Sequence, residues 1–180
     1  MSHMDDRRAA YERMFRANHG AVYRYVLRRV EGPAAEDVVG ETFLVAWRRY
    51  DEVVGDPLPW LLGIARRLCA NHLRGRARRS ALSARLHAEV HPPVESDVDD
   101  ADAAILSALA SLREGDREAL LLIAWDGLSN PQAAKVLGCG VGAFAVRLHR
   151  ARRRLARELE AVETRHVVAG HEQEVIHELP

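Results

Sequence analysis

Aromatic residues are scarce, with Phe, Trp and Tyr making up 6% of 180 residues. A large β core draws on aromatic packing, so an aromatic-rich β fold is disfavoured. Glycine and proline gather at a few points and leave long stretches free of helix breakers, which predicts an all-α protein. No apolar run is long enough to span a bilayer, and the segment Met1–Arg8 is polar, without the apolar centre of a signal peptide. The expectation is a cytoplasmic chain with no membrane insertion. Cys69 and Cys139 are the only cysteines. They fall in separate predicted domains and are expected as unpaired thiols of a reducing compartment. Phosphate-cradling glycine loops, nucleophile elbows and ordered metal-ligand clusters are also missing. His166, His171 and His177 lack the spacing of a metal site. No catalytic residue, metal or cofactor is therefore expected.

Lysine is nearly absent too, Lys135 being the single one, so the positive charge is arginine, which suits phosphate recognition and is equally what a GC-rich genome encodes. A formal net charge of zero conceals strong segregation along the chain. Arg66, Arg67, Arg74, Arg76, Arg78 and Arg79 lie in one stretch without an acid. Arg147, Arg150, Arg152, Arg153, Arg154 and Arg157 form a second. The compensating acids cluster at Glu89, Glu95, Asp97, Asp99, Asp100 and Asp102. Local fields of this kind point to a polyanionic partner despite the balanced sum.

That acidic stretch contains Pro92 and Pro93, has little apolar periodicity, and divides the chain as a linker. The expected organisation is a helical domain over 5–79, a linker over 80–100, a second helical domain over 101–163 and a disordered tail over 164–180. In the first block a helical pattern runs from Asp5 to Val30, with Gly20 a candidate break. Gly32-Pro33 starts the next helix, whose apolar positions Ala35, Val39, Phe43, Ala46 and Tyr50 recur at helical spacing opposite Asp37 and Glu41. Asp51–Pro59 reads as a loop. A third helix follows to about Arg79, with the outer stripe Arg67, Asn71, Arg74 and Arg78. In the second block, Ala101–Leu112 and Arg117–Trp125 form helices. Ser129 and Gln132 form a capping box at a short helix that ends at Gly138. The last helix starts near Val141, buries Phe144, Leu148, Ala151, Leu155, Leu159 and Val162, and turns Arg147, Arg150, Arg154 and Arg157 outward. Short helix, glycine turn and basic helix make a helix-turn-helix.

Segments in both blocks carry a resemblance. Ala35–Arg49 resembles the helix by which extracytoplasmic-function (ECF) sigma factors grip the clamp of RNA polymerase. Trp60–Arg67, continuing to His72-Leu73-Arg74, resembles the helix after their promoter-melting loop. Arg117–Leu122, Gly127-Leu128-Ser129 and Arg147–Arg152 resemble their helix-turn-helix domain. The resemblance covers about residues 9 to 160, in the family's order. It implies a sigma factor that binds core polymerase and recognises promoter DNA, with an anti-sigma factor as a further possible partner. By that resemblance Asp37, Gly40, Glu41, Phe43 and Trp47 contact polymerase. Tyr50, Asp51, Trp60, Arg66, Arg67, Asn71 and Arg74 serve the minus-ten element. Ser129, Gln132, Ala143, Arg147, Arg150 and Arg152 serve the minus-thirty-five element. Two alternatives share these features: a helix-turn-helix regulator acting without polymerase, and a sigma-like interaction protein lacking promoter activity.

The departures are informative. Gly40 stands where the family usually has glutamine, and Arg67 and Asn71 replace a common asparagine and aspartate. Ala143, Ala145 and Val146 fall where threonine, lysine and serine are frequent, leaving few hydrogen-bonding groups at the start of the recognition helix.

Overall fold

The structure is a computed structural model. It describes the backbone over residues 2–84 and 100–177 and side chains over 4–79 and 105–161. The described residues form seven α-helices: α1 Ser2–Leu27, α2 Pro33–Arg48, α3 Pro57–Ala84, α4 Asp100–Ser111, α5 Glu114–Ala124, α6 Asn130–Leu137 and α7 Val141–His177. A short 3-10 turn, Tyr50–Glu52, follows α2. The all-α expectation holds. Most of the expected linker lies outside the described residues.

The chain divides into two compact units, Met1–His91 with Pro131–Gly140, and Pro92–Asn130 with Val141–Pro180. In the first, α1, α2 and α3 pack mutually. Their core contains Met14, Val22, Tyr25 and Val26 from α1, Val38, Val39 and Phe43 from α2, and Leu61, Leu62, Ile64 and Cys69 from α3. Two polar groups enter it at little cost because each is bonded within its own helix. Asn18 Nδ2 donates to Met14 O at 2.7 Å, and Thr42 Oγ1 donates to Val38 O at 2.7 Å. Gly20 does not interrupt α1, because an exposed glycine weakens a helix by only about 1 kcal/mol.

Chain direction reverses between α1 and α2 at Gly32, whose φ of 63° puts it in the left-handed region open to glycine. Pro33 then occupies the first turn of α2, where a missing N–H costs nothing. The same logic corrects the expected loop over Asp51–Pro59. Leu58 N donates to Asp56 Oδ1 at 3.0 Å, so Asp56 caps a helix that begins at Pro57. Pro57 and Pro59 sit in its first turn, and only residues 53–56 remain outside helical turns.

In the second unit α7 packs on α4 and α5. Phe144, Leu148 and Ala151 are buried as expected, together with Ala108, Leu112, Ala119, Leu120 and Leu122. Leu155 and Leu159 are half-buried, and Val162 lies outside the described side chains. The helix expected to end near Glu163 continues to His177, so the tail expected to be disordered is helical over most of its length.

The helix α6 groups with the first unit, not with its sequence neighbours. It closes on a tight cap in which Gly138 N donates to Lys135 O at 3.2 Å and Cys139 N to Ala134 O at 3.0 Å. That pair of bonds requires a left-handed residue, which Gly138 supplies at φ 67°.

Candidate functional site

The helix α2 has two sharply different faces. Ala35, Val38, Val39, Thr42, Phe43 and Ala46 are buried. Glu36, Asp37, Gly40, Glu41, Leu44 and Arg48 are exposed. Asp37 and Glu41, four residues apart, lie on one outward stripe with Gly40 and Leu44. Leu44 is 58% exposed, an apolar residue set among acids, and was not singled out from the sequence. Phe43 is corrected: at 5% exposure it belongs to the core, its ring centroid 4.6 Å from that of Phe15. The 3.6-residue period already placed it on the inner face, with Val39 and Ala46.

The C-terminal end of α2 is held by α1. Tyr11 OH donates to Phe43 O at 2.6 Å, and its ring meets Trp47 edge-on at 4.9 Å and Tyr50 at 5.6 Å. Burial pushes the Tyr11 phenol above its ordinary ionisation range. Arg7 Nε lies 3.4 Å from Asp51 Oδ1. Trp47 and Tyr50 are thus half-buried members of one aromatic cluster, whereas Asp51 remains 81% exposed at its side chain despite the ion pair. Beside Asp51, a hydrogen bond from Arg49 Nε at 2.9 Å lowers the ionisation range of the Glu52 carboxyl. Beyond this turn the segment 53–56 exposes Val54, at 79%, next to Gly55. Trp60 is half-buried in the first turns of α3.

Along α3 the expected basic stripe is present. Arg67, Asn71, Arg74 and Arg78 are exposed, and Arg66 is half-buried. Arg74 Nη2 donates to Asn71 Oδ1 at 2.6 Å, which orients the pair along the helix. This stripe and the acidic face of α2 belong to the same compact unit, so one small bundle presents both signs of charge on separate helices. On α6, Ser129 precedes the first turn and is exposed, while the half-buried Gln132 donates through Nε2 to Asp56 Oδ2 at 2.7 Å.

On α7, Arg147, Arg150, Arg152, Arg153 and Arg157 are exposed, as is Ala143. Helical geometry puts Gly142, Val146, His149, Arg150, Arg153 and Arg157 farthest from the Phe144–Leu148–Ala151 stripe, while Arg147 and Arg152 flank that row. Val146 and Arg153 lie four and three residues from Arg150, and His149 three from Val146, so helical spacing places all three on this row, although none was among the expected site residues. Arg154, expected outward, pairs instead with Asp116 at the start of α5. No described helix is long and apolar enough to cross a membrane, and no metal-competent cluster of His, Cys, Asp or Glu occurs among the described residues.

The surfaces and the helix order fit one class of transcription protein. Residues 14–79 match the family described as Sigma-70 region 2, and residues 102–155 match Sigma-70 region 4. SigL of Mycobacterium tuberculosis, an ECF RNA polymerase sigma factor, is 34% identical over 163 residues, covering 84% of this chain and 90% of SigL. BldN of Streptomyces coelicolor is 34% identical over 159 residues, covering 83% of this chain, which spans only 60% of BldN. The sigma factor RpoE of Bartonella quintana, solved with the anti-sigma factor NepR, superposes with a TM-score of 0.64 at 27% identity, covering 84% of this chain and 97% of RpoE. The chain belongs to the ECF sigma factor family, whose members are regulatory and not enzymes.

Proposed function

We propose that this chain directs core RNA polymerase to promoters, using three separate surfaces. The acidic stripe of α2, with Asp37, Gly40, Glu41 and Leu44, takes the polymerase. Acids have no favourable role on DNA, and an apolar residue among them suits a desolvated protein interface. Trp47 supports this surface from its edge. The segment from Tyr50 to Trp60, with the stripe Arg66, Arg67, Asn71 and Arg74, takes the opened minus-ten element. Arginines there hold the phosphates, and aromatic and apolar groups receive unstacked bases. The outer row of α7 takes the minus-thirty-five duplex, with Arg147 and Arg152 as flanking phosphate contacts.

The observation that carries this reading is the separation of opposite charges onto two helices of one bundle, acids on α2 and arginines on α3. A DNA-only regulator has no use for the acidic stripe. Strand separation then draws on binding energy and needs no catalytic group. Since RpoE of Bartonella quintana is solved with the anti-sigma factor NepR, an anti-sigma factor is the partner class proposed for regulation of this chain. Run-off transcription with purified core polymerase tests the reading. Transcripts from defined start sites are the expected result. Polymerase binding without transcripts would identify a sigma-like interaction protein, and operator binding without polymerase binding a simple regulator.

A further inference from the structure

The first turn and a half of α7 is an unusual surface for a base reader. From Val141 to Val146 the sequence Val-Gly-Ala-Phe-Ala-Val offers no side-chain hydrogen-bond donor or acceptor. Val146 nevertheless occupies the outermost row of the helix and is 50% exposed. Gly142 lies one turn before it on the same row, with nothing within 4 Å of where a Cβ would stand. Ala143 sits three residues before Val146 and is exposed. The following turns carry Arg147, Arg150, Arg153 and Arg157, with no acid from Arg147 to Arg157. The apolar patch is thus continuous with a polycationic surface, and its natural occupant is a polyanion with an apolar feature.

Duplex DNA has one such feature on its major-groove edges, the C5-methyl group of thymine. All four bases present polar groups there, thymine its O4, but only thymine adds a methyl that an aliphatic side chain can cover without burying a donor or acceptor unsatisfied. We infer that Val146, with Ala143 and the open backbone at Gly142, selects thymine by contact with its methyl group. The arginines of the later turns fix the register on the phosphates. This inference rests on the proposed reading of α7 as a duplex-binding helix and gives that helix its chemical specificity. It also predicts that 5-methylcytosine, which presents the same methyl group, is preferred to cytosine at the same position.

The test uses the full chain and a pool of duplexes with a randomised segment of about twelve base pairs. Enriched duplexes are remade with single thymines replaced by uracil, which removes only the methyl group. The expected result is an affinity loss of about fourfold at one or two positions, the factor that corresponds to about 0.8 kcal/mol for one buried methyl. Val146→Ala should abolish that discrimination and leave the salt slope unchanged. Alanine is the better helix former and the site is exposed, so the variant folds. Uracil duplexes bound as tightly as thymine duplexes would overturn the inference. So would thymine preference persisting in Val146→Ala, or salt-sensitive binding with no sequence enriched, the result expected if Val146 serves a protein partner instead. Failure of the broader reading is distinguishable, since it appears as absent run-off transcripts whatever the pool yields.

Discussion

Arg7 closes the C-terminal end of α2 by acting on Trp47 twice. Its Nη2 donates to the Trp47 carbonyl at 3.1 Å, and its guanidinium carbon stands 4.7 Å from the Trp47 ring centroid. A cation at a helix C-terminus also meets the negative end of the helix dipole. The same side chain faces Asp51, so α1 governs how the chain leaves α2. Arg7→Ala should cost about 1 kcal/mol. Thermal melts should show it as a fall of about 4–8 °C in a bundle of this size. Arg7→Lys, which keeps the charge without the planar fork, should recover only part of the loss. An unchanged melt for Arg7→Ala would show that the contact is incidental.

Charge reversal at Asp37 and Glu41 should abolish co-elution with core polymerase while far-UV circular dichroism stays the same. Both residues are exposed, so their replacement leaves the fold intact. A solvated ion pair contributes about 1 kcal/mol or less, but a pair desolvated in an interface contributes several. Leu44→Glu should act in the same direction. Normal co-elution of the double variant would remove this face from the polymerase interface.

Arg154 and Arg150 stand one helical turn apart and have different expected effects. Asp116 is 9% exposed, so Arg154→Ala leaves a buried carboxylate unpaired and should destabilise the chain by about 1–3 kcal/mol. Arg150→Ala should leave denaturant midpoints unchanged. Its effect should appear in duplex binding, as a salt slope shallower by about one unit and a similar loss on promoter and non-promoter DNA. A stability loss at Arg150, or none at Arg154, would contradict the arrangement.

Alkaline pH should loosen the end of α2 through Tyr11. Burial raises its ionisation above the ordinary value of 10.0, so the fold favours the neutral phenol. This contribution is complete below the unfolded pKa and is lost as pH rises through the higher folded value. Stability measured from neutral pH upward should therefore fall more steeply in the wild type than in Tyr11→Phe once pH passes about 10. At neutral pH the variant should be weaker by about 1 kcal/mol, having lost the bond to Phe43 O. Parallel alkaline curves would show that Tyr11 does not sense the fold.

Helical periodicity made the core legible, and it was most reliable where several turns repeated one pattern. Phe144, Leu148 and Ala151 were read correctly because their spacing leaves one inner face. Phe43 is a core residue because the 3.6-residue period puts it on the inner face of α2, a placement that a family likeness does not encode. Pro57 and Pro59 looked like loop residues because proline breaks a helix interior, yet the cap at Asp56 moves them to its first turn. The Arg154–Asp116 pair spans 38 residues, and no local pattern encodes a partner at that distance. The grouping of α6 with the first three helices was equally invisible, since the bond from Gln132 to Asp56 joins positions 76 residues apart.

Gly40 is the least constrained position on the acidic stripe. It lies inside α2, is exposed, and has nothing within 4 Å of where its Cβ would stand. A side chain introduced there meets no neighbour and shifts no core residue, while relieving the roughly 1 kcal/mol that a glycine costs a helix interior. The outward surface of α2 can therefore be retuned by a single codon without any change in the fold beneath it. Any helix-forming residue that replaces Gly40 alters this face and strengthens the helix at the same time, so surface chemistry and helix stability are coupled at this one position.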